Sequence, residues 1–93
     1  MVTPTRVAIA GCTGSIGRQT LEVIRAEGPE RYNVVALGVG SSIELLIQQA
    51  REFGPSVVAV ADESRRAEVA TALPGVEVVA DQADLVGPAD VVI

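Results

Sequence analysis

A chain of 93 residues is long enough for one small domain with a modest core. Hydrophobic residues make up 48% of it and aromatics only 2%, so the apolar mass is Val, Ala, Ile and Leu, as in parallel strands buried on both faces. A net charge of −5, no histidine and a lone cysteine argue against a nucleic-acid surface, a Cys/His metal cluster and an intrachain disulfide.

The first expected element is a strand at about Arg6–Ala10. The first ten residues lack the hydrophobic region of a signal peptide, and no apolar run reaches the ~20 residues of a membrane span, so a cytoplasmic location is expected. Gly11-Cys12-Thr13-Gly14-Ser15-Ile16-Gly17 follows, with glycines at i, i+3 and i+6 between a strand and a helix. Gly11 permits a tight turn. Gly14 lets a phosphate approach the backbone, and Gly17 lets the helix pack closely on the strand. The N–H groups at the helix start then face an anion, with hydroxyls at Thr13 and Ser15 beside them. The spacing is G-x-x-G-x-x-G rather than the usual G-x-G-x-x-G of dinucleotide sites. A glycine-rich turn that binds nothing has no need of three spaced glycines plus two hydroxyls. Cys12 reads as a small residue filling a small-residue position, in preference to an activated thiol.

Helix A is expected at about Ser15–Ala26, with Gly17, Thr20, Leu21 and Ile24 facing the sheet and Arg18 and Glu22 outside. Gly28-Pro29 ends it. Strand 2, about Asn33–Leu37, leads into Gly38-Val39-Gly40-Ser41-Ser42. An NAD site would place an acid near here for the ribose 2′-OH, but none occurs between Arg31 and Glu44. Backbone N–H groups and serine hydroxyls suit a 2′-phosphate, which favours NADP. Ser41-Ser42-Ile43-Glu44 also fits the capping box S-x-x-E, and both roles are compatible. Helix B is expected at about Ser42–Phe53, with Ile43, Leu46, Ile47 and Ala50 inward and Gly54-Pro55 as its stop. Strand 3 is Val57–Val60. Helix C runs from about Glu63 to Leu73, and Pro74-Gly75 turns the chain into strand 4, Val76–Val79. Asp81–Val86 is expected as a short helical turn capped by Asp81, and strand 5 begins at Ala89.

Such alternation predicts an α/β, doubly wound parallel sheet (Rossmann-like) with right-handed crossovers, its ligand crevice at the carboxyl ends of the strands beside strand 1. Both glycine loops fall there. Ala89-Asp90-Val91-Val92-Ile93 is a core-strand pattern with no turn or helix after it, so the domain is expected to be incomplete at its C-terminus and the chain a fragment. Asp62, Glu63, Asp81, Asp84 and Asp90 could be imagined as metal ligands. However, Asp62 and Asp81 follow strands and precede helical patterns, so N-capping accounts for them, and Asp90 sits at the start of a strand. No catalytic residue and no metal ligand is assigned.

Several stretches closely resemble the start of the 1-deoxy-D-xylulose 5-phosphate reductoisomerase family. They are Gly11–Gly17, Thr20-Leu21-Glu22-Val23-Ile24-Arg25, Tyr32-Asn33-Val34-Val35-Ala36-Leu37 and Glu44–Pro55. The resemblance covers nearly the whole chain to about Asp62 and is looser beyond. It implies an enzyme of the non-mevalonate isoprenoid pathway that rearranges 1-deoxy-D-xylulose 5-phosphate, a phosphosugar, and reduces it with NADPH to 2-C-methyl-D-erythritol 4-phosphate. It also implies a divalent metal (Mg, Mn or Co) held outside these residues and a cytoplasmic homodimer, while the acidic charge and the lack of a long apolar run leave no nucleic-acid or membrane partner expected. By matching position, Thr13, Gly14, Ser15 and Ile16 would hold the pyrophosphate side of NADPH. Gly40, Ser41 and Ser42 would hold the adenosine ribose and its 2′-phosphate. Cys12 stands where the family usually has serine. Ser41-Ser42 stands where some members carry lysine and asparagine, which removes a cation from the 2′-phosphate site. Alternatives are another NADP-dependent dehydrogenase, such as a semialdehyde or homoserine dehydrogenase, or a non-catalytic nucleotide-sensing module.

Overall fold

Short apolar segments separated by amphipathic ones fold here as alternating strands and helices. The computed structural model describes residues 3–85, 87 and 89–93. Strand β1 is Thr5–Ile9, helix α1 Ser15–Glu27, β2 Tyr32–Val39, α2 Ile43–Phe53 and β3 Val57–Val60. A 3-10 turn at Glu63–Arg65 leads into α3, Arg66–Ala72. Strand β4 is Glu77–Val79, a second 3-10 turn is Gln82–Leu85, and β5 is Val91–Val92. All pairings are parallel, and the sheet order is β4-β3-β2-β1-β5.

The order explains where the helices lie. From β1 to β4 the chain steps steadily in one direction, so right-handed crossovers put α1, α2 and α3 on one face of the sheet. Leu21 and Ile24 of α1, Ile43, Leu46 and Ala50 of α2 and Val69 of α3 accordingly share one core with Val7, Ile9, Leu37, Val39, Val58 and Val60. The chain then returns past β1 to form β5, and this crossover runs over the opposite face. There Leu85 packs on Ala8, Ala36, Val57 and Ala59. The sheet is therefore doubly wound, as expected, and its direction of winding reverses at β1. That reversal opens a crevice at the carboxyl end of the sheet between β1 and β5, where Gly11, Gly14, Ser15, Ile16 and Ile93 line a cavity, with the loop after β2 on the other side of β1.

The element boundaries expected from sequence need correction by one or two residues. Strand β1 begins and ends one residue earlier, β2 continues to Val39, and β4 starts at Glu77. The expected helix C is a 3-10 turn followed by α3, because the Asp62 carboxylate accepts from the Ser64 N–H and hydroxyl and tightens the first turn. The strand expected from Ala89 is confined to Val91–Val92, since Asp90 turns its side chain back to Arg6. Thr20 of the inward stripe is only half-buried, and its hydroxyl donates to the Ile16 carbonyl at 2.8 Å. Val86, in the turn expected at Asp81–Val86, lies outside the described residues. No helix among the described residues is long and apolar enough to cross a membrane.

Candidate functional site

The loop after β1 is built on backbone geometry. Gly11 has φ +65°, a left-handed conformation that costs other residues energy and costs glycine little. The turn closes with the Gly14 N–H donating to the Gly11 carbonyl at 3.1 Å. Cys12 then dives into the core with no exposed surface, and its N–H donates to the Gly38 carbonyl of β2 at 2.9 Å. Burial pushes the Cys12 thiol up to about 12, against a weaker opposite pull from the backbone at Cys12 and Gly38. Cys12 is thus a packed small side chain, as read from sequence, and not a nucleophile.

Gly17 is needed for a close approach, but not to the strand. A Cβ there would lie 2.5 Å from the Gly11 carbonyl oxygen and 2.7 Å from Cys12 Cα, so α1 sits directly on the loop's own backbone. That corrects the expectation of helix-on-strand packing. Gly14 is different. A Cβ there meets only the Gly11 oxygen at 3.4 Å, an ordinary contact, so nothing within the fold forbids a side chain at this position.

Gly14 is the N-cap of α1 and Ser42 the N-cap of α2, and neither helix start has a side-chain cap. The capping box expected at Ser41-Ser42-Ile43-Glu44 is not formed. The Glu44 carboxylate instead accepts from Arg65 at 2.9 Å, since the ion pair offers it a guanidinium in place of a backbone N–H. It is held below the ordinary carboxylate range first by its own backbone N–H and then by Arg65. Arg65 is further engaged by Glu68 at 3.0 Å, so its charge is shared between two acids. By contrast, the two 3-10 turns that follow β3 and β4 are capped by carboxylates. Asp62 accepts from the Ser64 N–H and Asp81 from the Ala83 N–H at 2.9 Å. Hydrogen bonding to Ser64 holds the Asp62 carboxyl below its ordinary value. Both aspartates therefore act as caps, as read from sequence. No cluster of three or more metal-ligating side chains occurs among the described residues.

The two bare helix starts belong to the loops after β1 and β2, neighbours in the sheet. Gly11, Gly14, Ser15 and Ile16 are exposed there, Thr13 is half-buried and Gly17 is buried. Ile16 leaves 72% of its surface uncovered, which is unusual for an isoleucine. Gly40, Ser41 and Ser42 are exposed on the second loop. The Gly40 carbonyl accepts from the Asp62 N–H at 3.1 Å, which ties this loop to the end of β3. The N–H groups of Thr13, Ser15 and Ile16, and the hydroxyls of Thr13 and Ser15, have no hydrogen-bond partner among the described residues.

Two residues that sequence reasoning missed complete the loop. Gln82 accepts from the Gly11 N–H through Oε1 at 2.8 Å, so that N–H is already used. Gln49, on the buried side of α2, donates through Nε2 to the Cys12 carbonyl at 3.0 Å. A polar residue beside the inward stripe Ile43, Leu46, Ala50 was the available signal for Gln49. Nothing in the pattern around Gln82 marked it.

Comparison with known proteins agrees with the fold. A family model described as 1-deoxy-D-xylulose 5-phosphate reductoisomerase matches residues 7–91. The chloroplastic reductoisomerase of Mentha piperita is 45% identical over 74 residues, covering 80% of this chain and 16% of that protein. The Gloeobacter violaceus reductoisomerase is 51% identical over 69 residues, covering 74% of this chain and 17% of its own. Among solved structures, the Zymomonas mobilis reductoisomerase in complex with NADPH superposes with a TM-score of 0.76 and 32% identity, over 85% of this chain and 21% of that one. A reductoisomerase in complex with NADPH, fosmidomycin and magnesium superposes with a TM-score of 0.83 and 28% identity, over 95% of this chain and 23% of that one. The chain therefore spans less than a quarter of the length of each of these four proteins.

Proposed function

The chain belongs to the 1-deoxy-D-xylulose 5-phosphate reductoisomerase family, and on that premise we propose that residues 1–93 form the NADPH-binding part of such an enzyme. The observation that carries this reading is the pair of uncapped helix starts on adjacent strands, α1 behind Gly14 and α2 behind Ser42, while the 3-10 turns after β3 and β4 are capped by Asp62 and Asp81. Open N–H groups at a helix start, reinforced by the helix dipole, suit phosphate oxygens.

In this reading Gly11 and Gly17 shape the loop, and Thr13, Gly14, Ser15 and Ile16 face the pyrophosphate. Gly14 lacks a Cβ on the side where phosphate comes closest. Exposed Ile16 gives an apolar surface for the cofactor's ribose and nicotinamide end. Gly40, Ser41 and Ser42 take the adenosine ribose and its 2′-phosphate through N–H and hydroxyl groups. Bound there, NADPH supplies the hydride for reduction, while the chain's own residues bind and orient it.

For the whole protein we infer the reaction of the family: rearrangement of 1-deoxy-D-xylulose 5-phosphate and its reduction to 2-C-methyl-D-erythritol 4-phosphate. We further infer dependence on a divalent cation bound outside these residues, a homodimeric assembly and a cytoplasmic location. Titrating the purified protein with NADPH and with NADH, and following nicotinamide fluorescence, tests the central claim. Tighter binding of NADPH than of NADH is expected, and binding of neither overturns it.

A further inference from the structure

Within the glycine loop, the residue Cys12 is held at both ends. Its N–H donates to the Gly38 carbonyl of β2 at 2.9 Å, and its carbonyl accepts from Gln49 Nε2 of α2 at 3.0 Å. No peptide bond among the described residues is cis. A trans peptide is planar, with its C=O and the following N–H pointing in opposite directions. With the Cys12 carbonyl drawn inward toward buried Gln49, the N–H of Thr13 must therefore point outward, to the open side of the loop. That N–H has no partner among the described residues.

Gln49 is an expensive residue for a purely structural task. Only 7% of it is exposed, and its Oε1 is buried with no hydrogen-bond partner among the described residues. A methionine of similar length would fill the same space without an orphaned amide oxygen. What methionine would lack is a donor to the Cys12 carbonyl. Turning the amide over would set oxygen against oxygen, so the hydrogen bond itself fixes which end faces the loop.

We propose that Gln49 is a positioning residue for pyrophosphate binding: through the Cys12 carbonyl it orients the Thr13 N–H toward the ligand before the ligand arrives. This rests on the nucleotide-binding reading above. Gln49 also links the two halves of the site, since the helix that carries it begins at Ser42. Without the donor, the Cys12 peptide is free to rotate, and orienting the Thr13 N–H is then charged to binding.

The test compares wild type with Gln49→Met and with Gln48→Met, an exposed neighbour on the same helix. Kd is measured for both NADPH and NADH, with circular dichroism as the check on folding. Q49M is expected to remain folded and to raise both Kd values about 10-fold, the loss of roughly one aligned hydrogen bond, with their ratio unchanged. Q48M should alter neither. In wild type, the Thr13 amide resonance should move when inorganic pyrophosphate or either nucleotide is added. A folded Q49M with wild-type Kd values overturns the proposal, as does a loss confined to NADPH or a Thr13 amide that does not respond. If Q49M does not fold, Gln49→Leu, which also removes the donor and buries no charge, is judged by the same Kd criterion. Wild type binding neither nucleotide would overturn the nucleotide reading itself, whereas wild type binding with Q49M unchanged sinks only the role of Gln49.

Discussion

Alanine at Gly17 and at Gly14 should separate a glycine the fold needs from one the ligand needs. At Gly17 the new Cβ falls 2.5 Å from the Gly11 oxygen, 2.7 Å from Cys12 Cα and 2.9 Å from the Cys12 carbonyl carbon. All three are backbone atoms, so no flexible side-chain end can give way, and α1 must back off the loop by on the order of 1 Å. Overpacking of this kind costs about 1–3 kcal/mol. Replacing a helical glycine by alanine returns up to about 1 kcal/mol of helix propensity. The steric term wins because it is spread over three fixed contacts, and a net loss of about 1–2 kcal/mol is expected. For a domain of this size that lowers Tm by on the order of 10 °C.

At Gly14 the backbone is ordinary, with φ −77° and ψ 175°, and the nearest atom is 3.4 Å away. Gly14→Ala should therefore melt within a few degrees of wild type, with losses of about 0.5–1 kcal/mol from its N-cap position. Yet it should lose NADPH affinity, because its methyl occupies the side on which phosphate approaches. Thermal melts by circular dichroism, with NADPH titrations on the folded variants, read both effects. A G17A variant as stable as wild type would refute the packing argument. A stable G14A variant with unchanged NADPH affinity would refute the assignment of that position to phosphate.

Further outcomes follow from single contacts. Gln82→Ala removes the acceptor for the Gly11 N–H and should cost about 0.5–1.5 kcal/mol by urea unfolding, with faster hydrogen exchange at Gly11. Stability should be flat from about pH 6 to about pH 8, because the chain has no histidine. Below that it should fall, since Glu44, Glu52, Asp62 and Asp90 all have folded-state values lowered by hydrogen bonds. The stabilisation from such groups is fully present above their unfolded values and is lost as pH drops through the folded ones, which acid-induced unfolding monitored by fluorescence-independent dichroism will show. The buried Cys12 thiol, pushed up to about 12, should resist a thiol reagent at about pH 8 in the native protein and react once urea is added.

How much of this was legible in the sequence depends on the range of the interaction. Periodicity placed α1 and α2, because Leu21, Ile24, Ile43 and Leu46 repeat at helical spacing and each repeat reports burial on one face. The glycine spacing marked the loop, since a positive φ at Gly11 and a close approach at Gly17 leave few other residues possible. Contacts that cross the chain were not legible. Gln82 reaches Gly11 across 71 residues and Gln49 reaches Cys12 across 37, and neither leaves a periodic trace. The capping box failed for the same reason. Ser41-x-x-Glu44 is a local pattern, and Arg65, brought alongside by the pairing of β2 and β3, captured the glutamate.

An acidic chain that binds an anion must do so at short range, and that sets how it responds to salt. The net charge is −5, and the guanidinium beside the start of α2, Arg65, is already bonded to Glu44 and Glu68. Arg25 is held by Glu52 and Arg6 by Asp90. The loops Gly11–Gly17 and Gly38–Ser42 carry no cation of their own, so what they present is a set of N–H dipoles and hydroxyls whose attraction acts over a few ångströms and is little affected by ions at that distance. The repulsion between the chain's net charge and a nucleotide phosphate acts over longer distances, and salt screens it within about 10 Å at 0.1 M. The two effects predict that NADPH binding stays level or tightens slightly between about 20 mM and about 200 mM NaCl, the range over which the Debye length shortens through that distance. A site built on lysine or arginine does the reverse, because screening weakens its attraction for the phosphates. Titrations at the two salt concentrations decide the matter. A Kd that rises 10-fold with salt would mean that a cation, and not the bare starts of α1 and α2, carries the phosphate contacts.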